Sequence, residues 1–409
     1  MNEWAPVRLG DVLTVKHGYA FPGDHFSDDL SLPTLVTPGN FHVGGGFQQA
    51  KPKTFNGEYP AEFKLAPGDV IVTMTDLSRN ADTLGYGAVV PDDGTVYLHN
   101  QRIGKVLVTD DRRVDPLFIS YLLRTRPYRD FVVGSASGST VKHTSPSRIE
   151  AFRTELPPVV EQRRIAAVLG SLDDLIEADR KVAYEIDEIQ KQVFKAAWDG
   201  KTHRRLREIA SVVMGQSPTG DTYNETEQGM PFYQGTRDFG WRYPTRRVWT
   251  TAPTRIAEAG DVLVAVRAPV GELNVATETT TLGRGVGAVR AAGRQATLLQ
   301  ALKADPHQWD MHQGTGTVFA SINRSGMEGL SVPWVDDDQV ESTLAQLDSA
   351  ILALTAEIAD LTRTRDELLP LLMSGRVRVP ETVRSGCDDI SHEQISVAGA
   401  ADPSSPGRQ

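Results

Sequence analysis

The chain has 409 residues, 40% hydrophobic and 23% charged, a balance that fits a globular protein with two or more cores and excludes collagen-like and wholly disordered chains. A single cysteine, Cys387, excludes a disulfide framework and a cysteine-based zinc site, and suits a reducing cytoplasm. The formal net charge of −10 argues against an isolated high-affinity nucleic-acid binder, and the absence of a basic-then-apolar leader or a membrane-length apolar run predicts a cytoplasmic protein.

Residues 1–156 read as a first domain. It opens on Arg8-Leu9-Gly10-Asp11-Val12 with Gly18, and continues through Leu65-Ala66-Pro67-Gly68-Asp69-Val70-Ile71-Val72, a turn feeding a β-branched run that reads as a buried strand. A glycine- and serine-rich loop, Gly134 to His143, comes near its end. Leu156-Pro157-Pro158 then opens a long helix over residues 157–200, since proline is accepted at a first helical turn, and Gly200 closes it. Ile165, Val168, Leu172, Leu175, Val182, Ile186, Ile189 and Val193 follow alternating steps of three and four, with Asp179 at the one polar position. They predict a narrow apolar seam that pairs with another helix.

The same plan follows again. Residues 201–332 read as a second domain, with Arg205-Leu206-Arg207-Glu208-Ile209 and Gly215, then Ile256-Ala257-Glu258-Ala259-Gly260-Asp261-Val262-Leu263-Val264, then Gly314-Thr315-Gly316-Thr317-Val318. Between Phe232 and Arg294 arginines outnumber acids, and Tyr233, Phe239, Trp241, Tyr243 and Trp249 are interleaved with them. This is either a basic binding face or a strand-rich core with a solvated rim. Residues 333–379 predict a second long helix with a short returning strand, its acids Asp336, Asp337 and Asp338 placed to cap the positive end. Its seam is Val340, Leu344, Leu347, Ile351, Leu354, Ile358, Leu361, Leu368 and Leu372, with Arg365 as the polar interruption; Asp179 and Arg365 could fix the pairing register. A repeat period of about 180 residues indicates duplication of a whole domain and not a solenoid. The stretch 380–409 reads as a disordered tail.

Catalytic patterns do not assemble. Gly200-Lys201-Thr202 ends like a phosphate-binding loop, but Lys195 stands where its leading glycine belongs. No Asn/Asp-Pro-Pro-aromatic tetrapeptide of amino-methyltransferases is present, nor a His-Glu-x-x-His pair, nor a nuclease-type cluster of acids and lysine. The nine histidines are scattered, and His307 and His312 read as a helix face, so no metal site is expected.

Leu156-Pro157-Pro158-Val159-Val160-Glu161-Gln162-Arg163-Arg164-Ile165, continued to Leu172-Asp173, resembles the central helical region of the specificity subunits of type I restriction–modification enzymes. Leu368-Leu369-Pro370-Leu371-Leu372-Met373-Ser374-Gly375-Arg376-Val377-Arg378-Val379 is similar to their distal region. The second copy departs at the helix start, with Pro333-Trp334 and Asp338-Gln339 in place of Pro-Pro and Glu-Gln.

The resemblance implies an α+β fold in which two duplicated mixed α/β target-recognition domains are separated by a pair of long antiparallel coiled-coil helices. It implies a non-catalytic chain that reads an interrupted double-stranded DNA target, one half per domain, while the helices set the spacing and dock methyltransferase subunits. The implied partners are two modification subunits carrying S-adenosylmethionine and two restriction subunits using ATP and Mg, with no cofactor on this chain and no membrane. Arg79, Asn80, Ser139, Thr140, Lys142 and His143 in the first domain, and Gln234, Arg237, Arg242, Arg267, Thr315 and Thr317 in the second, are donors of the right type for base edges or phosphates. A plain surface turn is the competing reading of the glycine loops. The competing functions are a recognition subunit of another methylation-based phage defence system and a coiled-coil scaffold without base readout. The target sequence and its spacer length are not encoded in any motif.

Overall fold

The computed structural model describes residues 4–380, apart from 50, 79, 139–140 and 314–319. The chain divides into two compact units, Met1–Ile176 with Asp360–Gln409, and Glu177–Ala359. The tail expected from sequence lies outside the described residues except for Pro380.

In the first unit the β-branched run forms strand Val70–Thr73, buried throughout, within a four-stranded antiparallel sheet ordered Leu13–His17, Ile103–Val108, Val70–Thr73, Gly87–Val89. A smaller mixed sheet runs Phe26–Ser27, Thr54–Phe55, Thr34–Leu35, Tyr97–Leu98, Lys64–Leu65, its one parallel pair joining Thr34 to Tyr97. Ala5–Arg8 pairs with Arg153–Leu156 and so ties the start of the domain to its end. Helices Pro116–Leu122, Arg126–Gly134 and Pro146–Glu150 complete the core, with Phe118, Ile119, Tyr128 and Ile149 fully buried.

The second unit has the same strand order. Its antiparallel sheet runs Ser211–Met214, Val286–Arg290, Val262–Ala265, Leu273–Val275, and its mixed sheet Tyr223–Asn224, Trp249–Thr250, Met230–Tyr233, Thr280–Leu282, Ile256–Ala257. His203–Arg205 pairs with Ser331–Pro333 as Ala5–Arg8 does with Arg153–Leu156. The repeated glycine has a steric cause. A Cβ on Gly18 would fall 2.1 Å from the carbonyl oxygen of Asn100, and one on Gly215 2.1 Å from that of Gly283, so in both units another backbone passes where a side chain would stand.

Two long helices follow the two domains, Val159–Ala197 and Asp338–Met373. Gln162 explains the first helix start: fully buried, it accepts the Asp115 N–H and donates to the carbonyls of Arg113 and Pro157. The second begins at Asp338 and not at Pro333, because Ser331–Pro333 is a strand and Trp334 and Val335 are buried in the core; Asp337 caps the helix by accepting from Gln339 and Val340. Arg376–Val379 forms no strand, and Val379 packs into the core of the first unit.

Within each unit the helix segments run antiparallel. In the first, Ile165 and Leu169 share a core with Leu372, while Asp173 meets Arg365. In the second, Phe194 shares a core with Leu344, while Gln190 bonds Asp348.

The seam of the first helix differs from the sequence expectation by one residue. Leu175, Val182 and Ile189 are 43%, 43% and 51% exposed, whereas Ile176, Ala183 and Gln190 are 1%, 2% and 0% exposed. Ile165 is buried and Val168, Leu172 and Ile186 are half-buried, but the inward line is Leu169, Asp173, Ile176, Ala183, Asp187, Gln190 and Phe194. One residue turns a helix by about 100°. The error arose because the inward line carries polar groups satisfied by specific partners, so counting apolar residues selected the neighbouring stripe. On the second helix Leu344 and Ile351 are fully buried, and Leu347, Leu354, Ile358 and Leu361 are half-buried. Arg365 pairs with Asp173 and Asp366.

Candidate nucleic-acid interface

In the first unit strand Val70–Thr73 continues into Thr75–Asp76, which pairs antiparallel with Lys142–His143. Two segments far apart in sequence, the strand exit that leads to Asn80 and the end of the glycine-rich loop, thereby become neighbours. Thr75 Oγ1 and His143 Nδ1 lie 3.2 Å apart, and Ser137 and His143 exchange backbone hydrogen bonds of 3.0 and 2.9 Å that tie the two flanks of the loop together. Gly138, at φ +95°, permits this turn: a Cβ there would fall 1.9 Å from the Val141 carbonyl oxygen.

Asp76 holds the strand-exit loop in place. Its buried carboxylate accepts the N–H of Ser78 at 2.6 Å and both the N–H and hydroxyl of Thr83 at 2.5 and 2.6 Å. Burial works to raise this carboxyl's pKa, but the hydrogen bonds from Thr83 and Ser78 outweigh it and hold the group below its ordinary value of 3.8. The loop between these anchors turns Leu77 and Asn80 to solvent. Sequence reasoning missed Asp76; its spacing from Ser78 and Thr83 is the local signal of a carboxylate that nucleates a turn.

The second unit builds the same junction. Strand Val262–Ala265 leads into Val266 and Arg267, and Arg267 forms an antiparallel bridge with Ser321, just past the second glycine-rich segment. The Gln313 side chain donates to the Val270 carbonyl at 2.7 Å and accepts the Val270 N–H at 3.3 Å, pinning the other end of that segment to the turn after Arg267. Gln234 lies nearby: its carbonyl oxygen is 2.2 Å from where a Cβ on Gly285 would be, and the Gly285 carbonyl accepts from Val266. Gln234, Arg237 and Arg267 are exposed, His143 is exposed, and Lys142 is half-buried. Among the described residues Lys142, Arg237 and Arg267 enter no ion pair, unlike their neighbours Arg246 and Arg247, which leaves their charge available to phosphate.

Arg242 is a correction. It is 4% exposed and its guanidinium is paired with Asp187 at 2.6 Å and with Asp348, so it cannot reach a base edge. Arg79, Ser139, Thr140, Thr315 and Thr317 lie outside the described residues. No group of His, Cys, Asp and Glu among the described residues could hold a metal ion, and no described helix is long and apolar enough to cross a membrane.

Residues 1–188 match the family described as type I restriction modification DNA specificity domain. The likeness continues beyond that match: the MjaX type I restriction enzyme specificity subunit of Methanocaldococcus jannaschii is 23% identical over 353 residues, covering 78% of this chain and 80% of that one. The chain thus carries a type I DNA specificity domain in its first part and is similar to type I specificity subunits over most of its length. The EcoBI specificity subunit of Escherichia coli is 23% identical over 205 residues, 50% of this chain and 40% of that one. The crystal structure of the type I S subunit from M. genitalium shares the fold, with a TM-score of 0.56, 16% identity and coverage of 90% of this chain and 96% of that one. The matched domain is described as one of DNA specificity, and among the described residues the two strand-exit junctions present the unpaired cations Lys142 and Arg267.

Proposed function

We propose that the chain reads an interrupted DNA sequence, one half-site per domain, through the two junctions just described. The observation that carries this reading is their recurrence: in both units the central strand exits beside the glycine-rich segment, with exposed donors on both sides. Backbone phosphates would position each junction through Lys142 and Arg237, while Asn80, His143, Gln234 and Arg267 face base edges. Two helix-linked readers built on one plan suit two half-sites on one face of the duplex.

The catalytic work belongs to partners: two modification subunits that bind S-adenosylmethionine and methylate adenine, and two restriction subunits that use ATP and Mg. Leu175, Val182 and Ile189 form an exposed apolar stripe on the first long helix, which serves as a docking stripe for the modification subunits. The acidic balance is then no obstacle, because affinity for DNA is shared across the complex.

The test is modification in cells followed by mapping of methylated adenines. The chain with its modification subunits should mark an interrupted sequence, and exchange of residues 1–156 for another domain should alter one half of it. A change in both halves, or methylation by the purified chain alone, would overturn the reading.

A further inference from the structure

Burying charge is costly, and apolar packing usually fills the same space at least as favourably, so a repeated buried ion pair calls for a reason beyond stability. Both units bury cations against aspartates of the long helices. In the first, Arg124 stands just after helix Pro116–Leu122 and donates from Nη1 to Oδ2 of Asp173 at 2.9 Å. The Tyr121 ring lies 4.6 Å from the guanidinium carbon, and the Tyr121 hydroxyl donates to the same Asp173 oxygen. The other oxygen of Asp173 accepts from Arg365 at 2.8 Å. The turn between the bridged residues Phe41 and Phe47 closes on the arginine stem, so that a Cβ on Gly45 would fall 2.5 Å from Arg124 Cγ.

In the second unit the corresponding helix, Gln295–Ala304, carries Lys303, which donates to Asp187 at 2.6 Å. The corresponding turn, between the bridged residues Phe239 and Pro244, carries Arg242, which joins Asp187 to Asp348. Gln190 also donates to Asp348, at 2.7 Å. The two aspartates that follow the domains, in Leu172-Asp173 and Leu347-Asp348, stand at the same distance from Leu169 and Leu344. One domain thus grips its helix acid with an arginine beyond a helix, and the other with an arginine from a turn. The contact recurs although the element supplying the arginine does not.

Each clamp also adjoins a segment that leads to the reading residues. Arg124 precedes helix Arg126–Gly134, which leads to the glycine-rich segment before Lys142, and Arg242 lies five residues after Arg237. Apolar contacts are non-directional and tolerate small slips, whereas a planar guanidinium held by carboxylates in set directions does not. We propose that Arg124 and Arg242 are positioning residues: each fixes the angle of its domain's reading loops on its own helix segments, and together they set how strictly the protein discriminates the gap between half-sites. This rests on the half-site reading proposed above.

The experiment uses the full chain in complex with its modification subunits. Methylation rates are compared on duplexes carrying both half-sites with the native gap, or with one base pair removed or added. In Arg124→Ala the preference for the native gap should fall by about tenfold, with both half-site sequences retained, because small misplacements are expensive in rate. Arg124→Lys, which keeps the charge but not the planar fork, should fall between. Thermal unfolding of each complex identifies variants that fold. Should Arg124→Ala fail to fold, Arg124→Lys and Arg242→Lys supply the comparison, and a lowered gap preference in both is expected. A folded variant of the Arg124 or Arg242 clamp with the wild-type gap preference overturns the proposal. Wild-type methylation that ignores the gap would instead overturn the half-site reading itself.

Discussion

Truncating two adjacent residues of the first long helix separates the inward line from the apolar stripe. Ile176 is 1% exposed and Leu175 is 43% exposed, although both are large aliphatic residues. Ile176→Ala removes buried methyl groups and leaves a cavity, a loss of about 2–5 kcal/mol. Leu175→Ala gives up surface that is already partly in water, and should cost about 1 kcal/mol or less, since full burial of such a side chain contributes only about 1.5–3 kcal/mol. In a unit of this size each kcal/mol moves the unfolding midpoint by roughly 2–4 °C, so Ile176→Ala should melt about 5–15 °C lower while Leu175→Ala moves by a few degrees at most. Circular dichroism melts of the isolated chain measure both. Binding to the modification subunits should show the reverse ranking, with Leu175→Ala the more harmful change per degree of melting lost. Equal destabilisation by the two variants would refute the inward line described above.

The heads and their anchors give further tests. Lys142→Ala and Arg267→Ala in the complex should each lower DNA affinity; if the lost contact is to phosphate, the salt dependence weakens by about one ion, and if to a base, about 1–3 kcal/mol of discrimination is lost at one position. Arg242→Ala and Arg237→Ala should separate cleanly in melting experiments: the first strips a partner from buried acids at a cost of about 3–5 kcal/mol, while the second is a surface change within about 0.5 kcal/mol. Asp76 has a lowered folded pKa, so its contribution is present above the unfolded value near 3.8 and is lost as pH falls through the folded value; Asp76→Asn should therefore flatten the acid side of the stability profile in pH-dependent melts. Inserting one heptad after Glu185 and another after Leu361 lengthens both helices by about 10 Å and should widen the preferred gap by up to roughly 3 base pairs, read from methylated sites in cells.

The repeat was legible because glycines and prolines punctuate it: Gly18 and Gly215 mark backbone crossings, and Pro157 and Pro333 precede the two helices closely enough to show that each domain ends in one. The helices were legible as helices, but the stripe chosen on the first was not the inward one, because Asp173, Asp187 and Gln190 line its inner face and their partners Arg124, Lys303 and Asp348 come from elsewhere in the sequence. Arg242 shows the same limit from the other side. Among arginines in a basic stretch, nothing local distinguishes one that faces solvent from one that reaches two aspartates on different helices. Strand pairing between Thr75–Asp76 and Lys142–His143 was also invisible, since two-residue strands carry no periodicity.

The assignment of Asp360–Met373 to the first unit bears on biosynthesis. Leu372, Met373 and Val379 share one core with Leu9, Val12 and Leu13, residues made long before them, whereas the second unit draws only on the continuous stretch Glu177–Ala359. The domain synthesised first therefore waits on the ribosome for a wall of its core, while the domain synthesised later has all of its residues within one uninterrupted span. A chain released early near residue 360 would leave the amino-terminal reader incomplete and the other nearly whole, reversing the usual expectation that a truncation harms the end nearest to it.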